Sequence, residues 1–370
     1  MAKDKISFLN IIFLICNGLA AVGLVAAYLS NYLNPKLYFL TALCGLFYPY
    51  IVAVNICFII LWLIRKRRYC FISLLTILLG FNSLQRLYQF QGEDIPSDTT
   101  NLVKVLSYNV QILDAYTKKS ANRETIIRFL QEESPDITCL QEYCQHNTPQ
   151  TDFITTSELQ QLLDAKDNYL YMPLTRNSYQ FGMVIFSRYP IVHRGRVIFS
   201  NAKTNHAMYA DIKINEDTIR VYNIHFQSIH FGAEDYMFAR QATSNTDISN
   251  KEWKKGSMRI LRKIKRGYSK RSAQVDSIVN HIEASPYKVI VCGDFNDTPC
   301  SYTYKQIRNL LDDAFVESGK GFGYSMIINR LLSFRIDYIF HDKSFRSYEF
   351  KTKVIKASDH YPVSAFLKLE

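Results

Sequence analysis

No charged side chain interrupts residues 6–29, ISFLNIIFLICNGLAAVGLVAAYL. That absence excludes an amphipathic surface helix and leaves a segment long enough to cross a bilayer, for which about 20 apolar residues suffice. The stretch is too long for a signal-peptide core, and Leu24–Leu29 offers no cleavage pattern. Also missing is any C-x-x-C pair among the eight cysteines, which excludes a zinc ribbon or a thioredoxin-type redox centre. Cys16, Cys44, Cys57 and Cys70 lie in the apolar N-terminal part, and Cys139, Cys144, Cys292 and Cys300 in the remainder. They read as buried thiols rather than as a disulfide framework. Histidine is scarce, at eight residues, so a histidine-rich metal cluster is not to be expected. No repeat of fixed period runs through the chain, which excludes a solenoid or propeller.

What is present falls into two compositional halves. The first 90 or so residues hold three apolar runs, 6–29, 37–64 and 69–84, which read as two to three membrane helices, the third over about 69–88. Between the second and third sits Arg65-Lys66-Arg67-Arg68. A loop this basic stays on the cytoplasmic side of a membrane, and Lys3 and Lys5 put the N-terminus there too. Three crossings would then carry the remainder to the outer, periplasmic face of an inner membrane as part of a multi-pass protein; two would leave it in the cytoplasm. Lys and Arg number 44 against 33 Asp and Glu, a net +11. Such a balance fits either an anionic partner or topology-setting cations. Three spans without an internal charge offer no ion pathway, which argues against a transporter.

Residues 91–101, QGEDIPSDTTN, read as a linker. From 102 to 370 short strand patterns alternate with helical ones: apolar strands at 103–109, 137–141, 184–186, 207–214, 219–225, 288–292, 335–340 and 363–369, with helices near 123–132 and over 271–283. Without a regular βα unit this favours an α+β domain of two packed sheets flanked by helices.

Polar side chains gather where these strands end, the usual place for a site on a rigid scaffold. Asn109 closes the first strand, Glu142 follows the second, and Asn223 and His225 close another. Asp294 and Asn296 follow the most apolar strand, Asp337 opens a late one, and Asp359-His360 precede the last. Each alone is more simply a turn residue or a solvated carboxylate. Together they are a set of hard oxygen donors with two histidines, suited to Mg²⁺ or Mn²⁺ rather than zinc.

Ser-Tyr-Asn-Val, Leu-Gln-Glu, Asn-x-His, Gly-Asp-Phe-Asn, Arg-Ile-Asp-Tyr-Ile and Ser-Asp-His occur in this order. Across 102–370 the chain thereby resembles the endonuclease/exonuclease/phosphatase family. With its apolar N-terminus and the segment Gly-Asp-Phe-Asn-Asp-Thr-Pro-x-Ser-Tyr at 293–302, it is similar to membrane-linked bacterial members of the Bacteroidetes kind. The resemblance implies a four-layer αββα, deoxyribonuclease-like sandwich with the site at one rim. It implies Glu142 as the main metal carboxylate, with Asn109 beside metal and phosphate and Asp359 at a further metal-linked position. Asp294 and Asn296 correspond to the pair that positions the attacking water and binds a phosphate oxygen, His360 to the histidine on the scissile phosphate, Asp337 to its orienting carboxylate, and His225 to a second phosphate-side histidine. Two features depart from the pattern: Gln111 stands where some members carry an acid, and no motif between 143 and 182 places a second Glu as the partner of His225.

Residues 232–271 form an insertion whose second half, 251–271, carries ten cations against the single acid Glu252. It reads as a contact for anionic lipid or for nucleic acid, or as a solvated helix. Arg271 and Gln274, with Asn223, are candidates to face substrate, while Tyr302 and Tyr304 read as packing residues in preference to base-stacking ones. The expected activity is metal-assisted hydrolysis of a phosphoester, either a lipid headgroup or a nucleic acid, by a protein anchored in the bilayer through its N-terminal helices. A catalytically silent, membrane-tethered binding module is the competing reading.

Overall fold

The computed structural model describes residues 7–115, 120–146, 153–199, 205–229, 231–243, 249–328 and 333–369. Lys3 and Lys5 lie outside them. The N-terminal part is helical: α1 (Phe8–Leu29), α2 (Phe39–Leu46), α3 (Tyr48–Arg65), α4 (Cys70–Leu79) and α5 (Phe81–Leu87). The helices α1 and α3 are long and apolar enough to cross a membrane, and the run 67–87 is a helix pair bent by 67°. The second apolar run, expected as one segment over 37–64, is two helices. Pro49 lies in the first turn of α3, where a ring without an N–H starts a helix but cannot continue one. The four cysteines of this region, like the four beyond it, are free thiols.

Inside the bundle three uncharged polar side chains meet. Ser73 Oγ donates to Asn17 Oδ1 at 2.5 Å and lies 2.9 Å from Asn55 Oδ1, while Asn55 Nδ2 donates to the Ala20 and Ile51 carbonyls. Such links join helices where no hydrophobic gradient does so. At one end Arg65 Nε donates to Asn10 Oδ1 at 2.9 Å, placing the basic 65–68 segment beside the start of α1. The other end of the bundle meets the C-terminal domain.

That domain begins with β1 (Leu102–Asn109), followed by α6 (Ser120–Glu133), β2 (Ile137–His146), α7 (Thr156–Leu162), β3 (Asp167–Arg176), β4 (Tyr179–Ser187), β5 (Ile191–Val197), β6 (Ala207–Ile214) and β7 (Asp217–His225). Then come α8 (Ala233–Thr243), α9 (Asn250–Glu283), β8 (Lys288–Asp294), α10 (Tyr302–Leu310), β9 (Asp312–Asp313), α11 (Ala314–Ser318), β10 (Met326–Ile327), β11 (Ser333–Phe334), β12 (Asp337–His341), β13 (Phe345–Thr352) and β14 (Val363–Leu369). Two six-stranded sheets form, in the orders β13-β14-β1-β2-β4-β3 and β5-β6-β7-β8-β12-β9. Each has one parallel pair at its centre, β1 with β2 and β7 with β8.

Side-chain alternation explains the layers. Val103, Val105, Ile290, Cys292 and Ile339 point into the core between the sheets. Leu106 and Tyr108 of β1 point the other way, onto Ile126 and Leu130 of α6. Val289 and Val291 of β8 meet Val275 and Ile278 of α9. Central strands therefore read as continuous apolar runs because both faces are covered. Three apolar interfaces make four layers.

The second half of the insertion, 251–271, and the helix expected at 271–283 are one continuous helix, α9, of 34 residues, opened by a capping box of Ser249 and Glu252. Tyr302 and Tyr304 both pack: the Tyr304 hydroxyl donates to Asp313 Oδ2 inside the core, and that of Tyr302 to Asp276 Oδ1.

At the end of β8 the backbone leaves no room for a side chain. Gly293 has φ +145°, and a Cβ there would lie 1.9 Å from the Ile224 carbonyl oxygen of the paired strand. Gly293→Ala should therefore cost about 4 kcal/mol or more, the range of a severe core lesion, read as a fall in the thermal midpoint of the purified full-length chain or as failure to recover folded protein.

Candidate active site

Both sheets deliver polar side chains to one rim. In sheet register, His225 at the end of β7 stands beside Asp294 at the end of β8, and Asp294 beside Asp337 at the start of β12. The first sheet contributes Asn109 from the end of β1. Its Nδ2 donates to Asp294 Oδ2 at 3.0 Å across the gap between the sheets. Asn296 adds a second amide donor to the same oxygen at 3.0 Å, and its backbone N–H donates to Asp294 Oδ1 at 2.7 Å. The turn that permits this puts Asn296 at φ +53°, a left-handed conformation that Asn adopts more readily than most residues. His225 Nε2 and His360 Nε2 each stand 3.7 Å from Asp294 Oδ2. Asp294 itself is 1% exposed.

Glu142 reaches the rim by a different device. Two residues of β2 oppose one of β4 between Leu140 and Tyr143, a bulge at which Glu142 has φ +49°. The bulge re-aims the strand and sets Glu142 Oε1 3.8 Å from His225 Nε2. Glu142 Oε1 and Asp294 Oδ2 thus lie 3.8 and 3.7 Å from the same nitrogen, His225 Nε2, and the structure places Asn109, Glu142, His225, Asp294, Asn296, Asp337 and His360 at one rim. Asp359 lies beside it. Its backbone N–H donates to Gln111 Oε1 and its charge acts on His360.

The His360 ring is held by its Nδ1, 2.9 Å from Asp337 Oδ2. Burial pushes the Asp337 carboxyl above its ordinary range, opposed by the neighbouring imidazole. Burial alone would strip the proton from His360, but the charges of Asp337 and Asp294 outweigh it and hold the imidazole pKa well above 6.5. At neutral pH the pair therefore keeps its proton on the imidazole, with Asp337 as buried counter-charge.

Asn223 and Arg271, expected to face substrate, do not reach this cluster. Asn223 is fully buried between the sheets. Its Nδ2 donates to the Leu140 and Val184 carbonyls and its Oδ1 accepts from Gln141 Nε2 at 2.7 Å. Arg271 is equally buried, paired with Asp297 at 3.2 Å and donating to the Gln227 carbonyl. The carbonyl oxygen of the Gln274 side chain accepts from the Gln227 N–H. These residues brace the segments behind the rim. Several supports carried no sequence signal. Ser325 Oγ accepts from the backbone N–H of both Ile336 and Asp337, yet Ser325 sits in an unremarkable Gly-Tyr-Ser-Met stretch. Ser358 Oγ donates to the Asn109 carbonyl at 2.8 Å and was visible only as part of Ser-Asp-His.

The donors present fit a hard divalent ion. Asp294, Asp337 and His360 offer ligand atoms within 4.8 Å of one another. That trio is, however, already occupied internally: Asp337 holds His360, and two amides hold Asp294. Glu142, with its side chain 36% exposed, accepts no hydrogen bond among the described residues. An oxygen donor left open at the rim of a buried acidic site could hold a cation.

Residues 106–360 match the model of the Endonuclease/Exonuclease/phosphatase family, and residues 10–87 match one described as a domain of unknown function. No curated protein is significantly similar in sequence. Among solved structures, an endonuclease/exonuclease/phosphatase from Beutenbergia cavernae superposes with a TM-score of 0.51 at 17% identity, over 73% of this chain and 72% of that one. A family protein from Leptotrichia buccalis gives 0.50 at 18%, over 72% and 99%. The human Nocturnin catalytic domain with bound sulfate anion gives 0.50 at 15%, over 77% and 98%. At these identities the likeness is one of fold.

Because Asn223 bonds only to protein groups, its loss should read out in stability. Asn223→Leu removes the donor to two buried carbonyls and one of three acceptors of the Gln141 amide, at about 1–3 kcal/mol for each buried group left unpaired, measurable as a lowered denaturation midpoint of the full-length chain.

Proposed function

The chain belongs to the endonuclease/exonuclease/phosphatase family, which includes metal-dependent phosphoesterases and nucleases, and from this premise we propose that it is a membrane-anchored, divalent-metal-dependent phosphoester hydrolase. The observation that carries the reading is the Asp294 carboxylate set among Asn109, Asn296, His225 and His360, with the His360 ring held through Nδ1 by Asp337.

Glu142, with Asn109 and Asp359 alongside, would hold Mg²⁺ or Mn²⁺; when bound, such an ion neutralises phosphate charge and stabilises the leaving oxygen. The protein's own groups do the rest. Asp294 orients and deprotonates the attacking water. Asn296 spends its amide hydrogens on Asp294 and on the Phe226 carbonyl, so it fixes the angle of that carboxylate. The protonated His360 Nε2 donates to a phosphoryl oxygen as charge builds there. His225 Nε2 is buried without a hydrogen-bond partner, and a substrate oxygen is the acceptor or donor it lacks. Positioning and charge stabilisation supply most of the rate gain in such transfers.

A lipid headgroup is the preferred substrate class, with nucleic acid as the alternative. In α9 the exposed stripe carries Lys251, Lys254, Lys255, Arg262, Lys265 and Arg266 at helical spacing. Arg259 and Lys263 of the same segment are paired with Asp235 instead. The free stripe suits anionic headgroups of the membrane in which the chain is anchored. For sidedness, the basic 65–68 segment and the C-terminal domain sit at opposite ends of the helical bundle. If the basic end is cytoplasmic, the catalytic domain faces the periplasm.

Two outcomes follow. Asp294→Asn or His360→Ala in the full-length chain should cut Mg²⁺- or Mn²⁺-dependent hydrolysis of bis(p-nitrophenyl) phosphate by about 10²–10⁴-fold, with the thermal midpoint retained and wild-type turnover abolished by EDTA; undiminished turnover in both variants would discard the assignment. Plasmid DNA and anionic phospholipid vesicles assayed in parallel distinguish the substrate classes. A periplasm-active reporter fused at the C-terminus should be active, and a cytoplasm-active one silent.

A further inference from the structure

The segment that carries Asp294 and Asn296 does not end at the rim. It continues through Asp297, Thr298 and Cys300 into the end of the helical bundle. Ser30 Oγ, just past α1, lies 2.7 Å from the Cys300 carbonyl oxygen and 2.6 Å from that of Ala27. The Cys300 thiol donates to the Ala27 carbonyl at 3.1 Å, and Asn31 Nδ2 lies 3.6 Å from its sulfur. Thr298 Oγ1 donates to the Gly45 carbonyl of α2 at 3.4 Å. Here the two chains of backbone touch: a Cβ on Gly45 would lie 2.2 Å from the Cys300 carbonyl oxygen. Cys300, 3% exposed, is packed with Leu24, Ala27, Tyr48 and Val52 of the bundle.

A second site-bearing segment is tied to the same end. Arg335, two residues before Asp337, donates from Nη2 to the Arg86 carbonyl of α5 at 3.0 Å while pairing with Asp313. So the turn after β8 and the start of β12, which hold Asp294 and Asp337, both rest on the N-terminal helices. An anchor that served only for tethering would need a linker and no more. It would not place a hydroxyl, a glycine and a main-chain carbonyl against the segments that aim the catalytic groups.

We infer that the N-terminal helical region is a structural part of the active site, with Ser30, Gly45 and Arg86 as positioning residues that fix the 293–300 turn and the start of β12. The claim rests on the hydrolase reading of that site and gives the region matched only as a domain of unknown function a specific task. Misplacing a reacting group by about 1 Å costs on the order of 10²-fold in rate, so small shifts at this contact are legible in turnover.

The test uses the full-length chain in detergent, with bis(p-nitrophenyl) phosphate and Mn²⁺. Gly45→Ala should lower kcat by roughly ten- to a hundredfold and weaken the Mn²⁺ activation constant, with KM for the diester little changed. Ser30→Ala should do the same more mildly, and Ser30→Thr, which keeps the hydroxyl, should restore turnover. Ser73→Ala is the control: it breaks the Asn17–Ser73–Asn55 contact inside the bundle, away from the turn, and should lower the thermal midpoint while sparing kcat. If Gly45→Ala and Ser30→Ala behave as Ser73→Ala does, the bundle is an anchor alone and the inference falls. If the wild-type chain hydrolyses no phosphoester, it is the hydrolase reading that fails. Mn²⁺ binding followed by electron paramagnetic resonance then still decides positioning: weaker binding in Gly45→Ala upholds it, and equal binding overturns it.

Discussion

A carboxylate buried to 1% exposure survives only where donors surround it. Asp294 is that group here: Asn109 from the first sheet and Asn296 from its own turn donate to it, and imidazoles from the end of β7 and the segment before β14 stand 3.7 Å away. The requirement cannot be met by either sheet alone. The sandwich must close in register for Asn109 to reach across, and the Gln141–Asn223 bridge, also between sheets and near the same end, is what polar pairing at that closure looks like when no charge is involved. The two contacts make opposite uses of burial. One joins protein groups across the gap and fixes the sheets; the other leaves Glu142 and the Nε2 of His225 open and so retains capacity for a ligand.

Much of this was legible in the sequence, for a physical reason. Strands covered on both faces must be continuously apolar, so a polar residue at a strand end stands out, and Asn109, Glu142, His225, Asp294 and Asp337 were all singled out that way. The same rule could not separate residues that face outward at the rim from residues turned into the gap between the sheets. Asn223 and Arg271 look identical to site residues in one dimension, and only their neighbours, two carbonyls for one and Asp297 for the other, reveal the difference. Ser325 was invisible because a serine accepting two backbone N–H groups needs no particular flanking sequence. The break at Pro49 was present in the sequence but masked by the uniform apolarity of 37–64, and the fusion of the basic segment with the family helix into α9 was masked by the charge change at Arg271.

The helical region obeys a different accounting. Its core uses Asn17, Asn55 and Ser73, side chains whose hydrogen bonds have little water to compete with in an apolar surround. Arg65 at one end and Arg86 at the other are each engaged by neighbouring chain, Arg65 with Asn10 and Arg86 with Asn31 Oδ1 at 3.1 Å. Directional contacts of this kind define which helix end faces which way, and hence which end the C-terminal domain can dock against. Apolar packing alone would leave rotation about the helix axes weakly specified.

Docking at that end has a consequence for how the enzyme's parts relate. The six strand-end motifs lie wholly within 102–370, and with them the groups proposed to perform the chemistry. The contacts of Cys300, Thr298 and Arg335 show that two of the segments carrying those motifs are over-determined, held by the sandwich on one side and by the bundle on the other. A turn with φ +145° at Gly293 and +53° at Asn296 is a strained piece of backbone, of the sort that persists only where its surroundings fix it from several directions. The bundle supplies one of those directions. The segment expected as a linker at 91–101 is itself held to the domain, with the Glu93 N–H donating to the Ser318 carbonyl and the Glu93 carbonyl accepting from the Glu349 N–H, and Gln89 just before it paired to Gly321. The geometry of the reacting groups is continuous, through main-chain contacts, with the helices that enter the bilayer in the proposed topology.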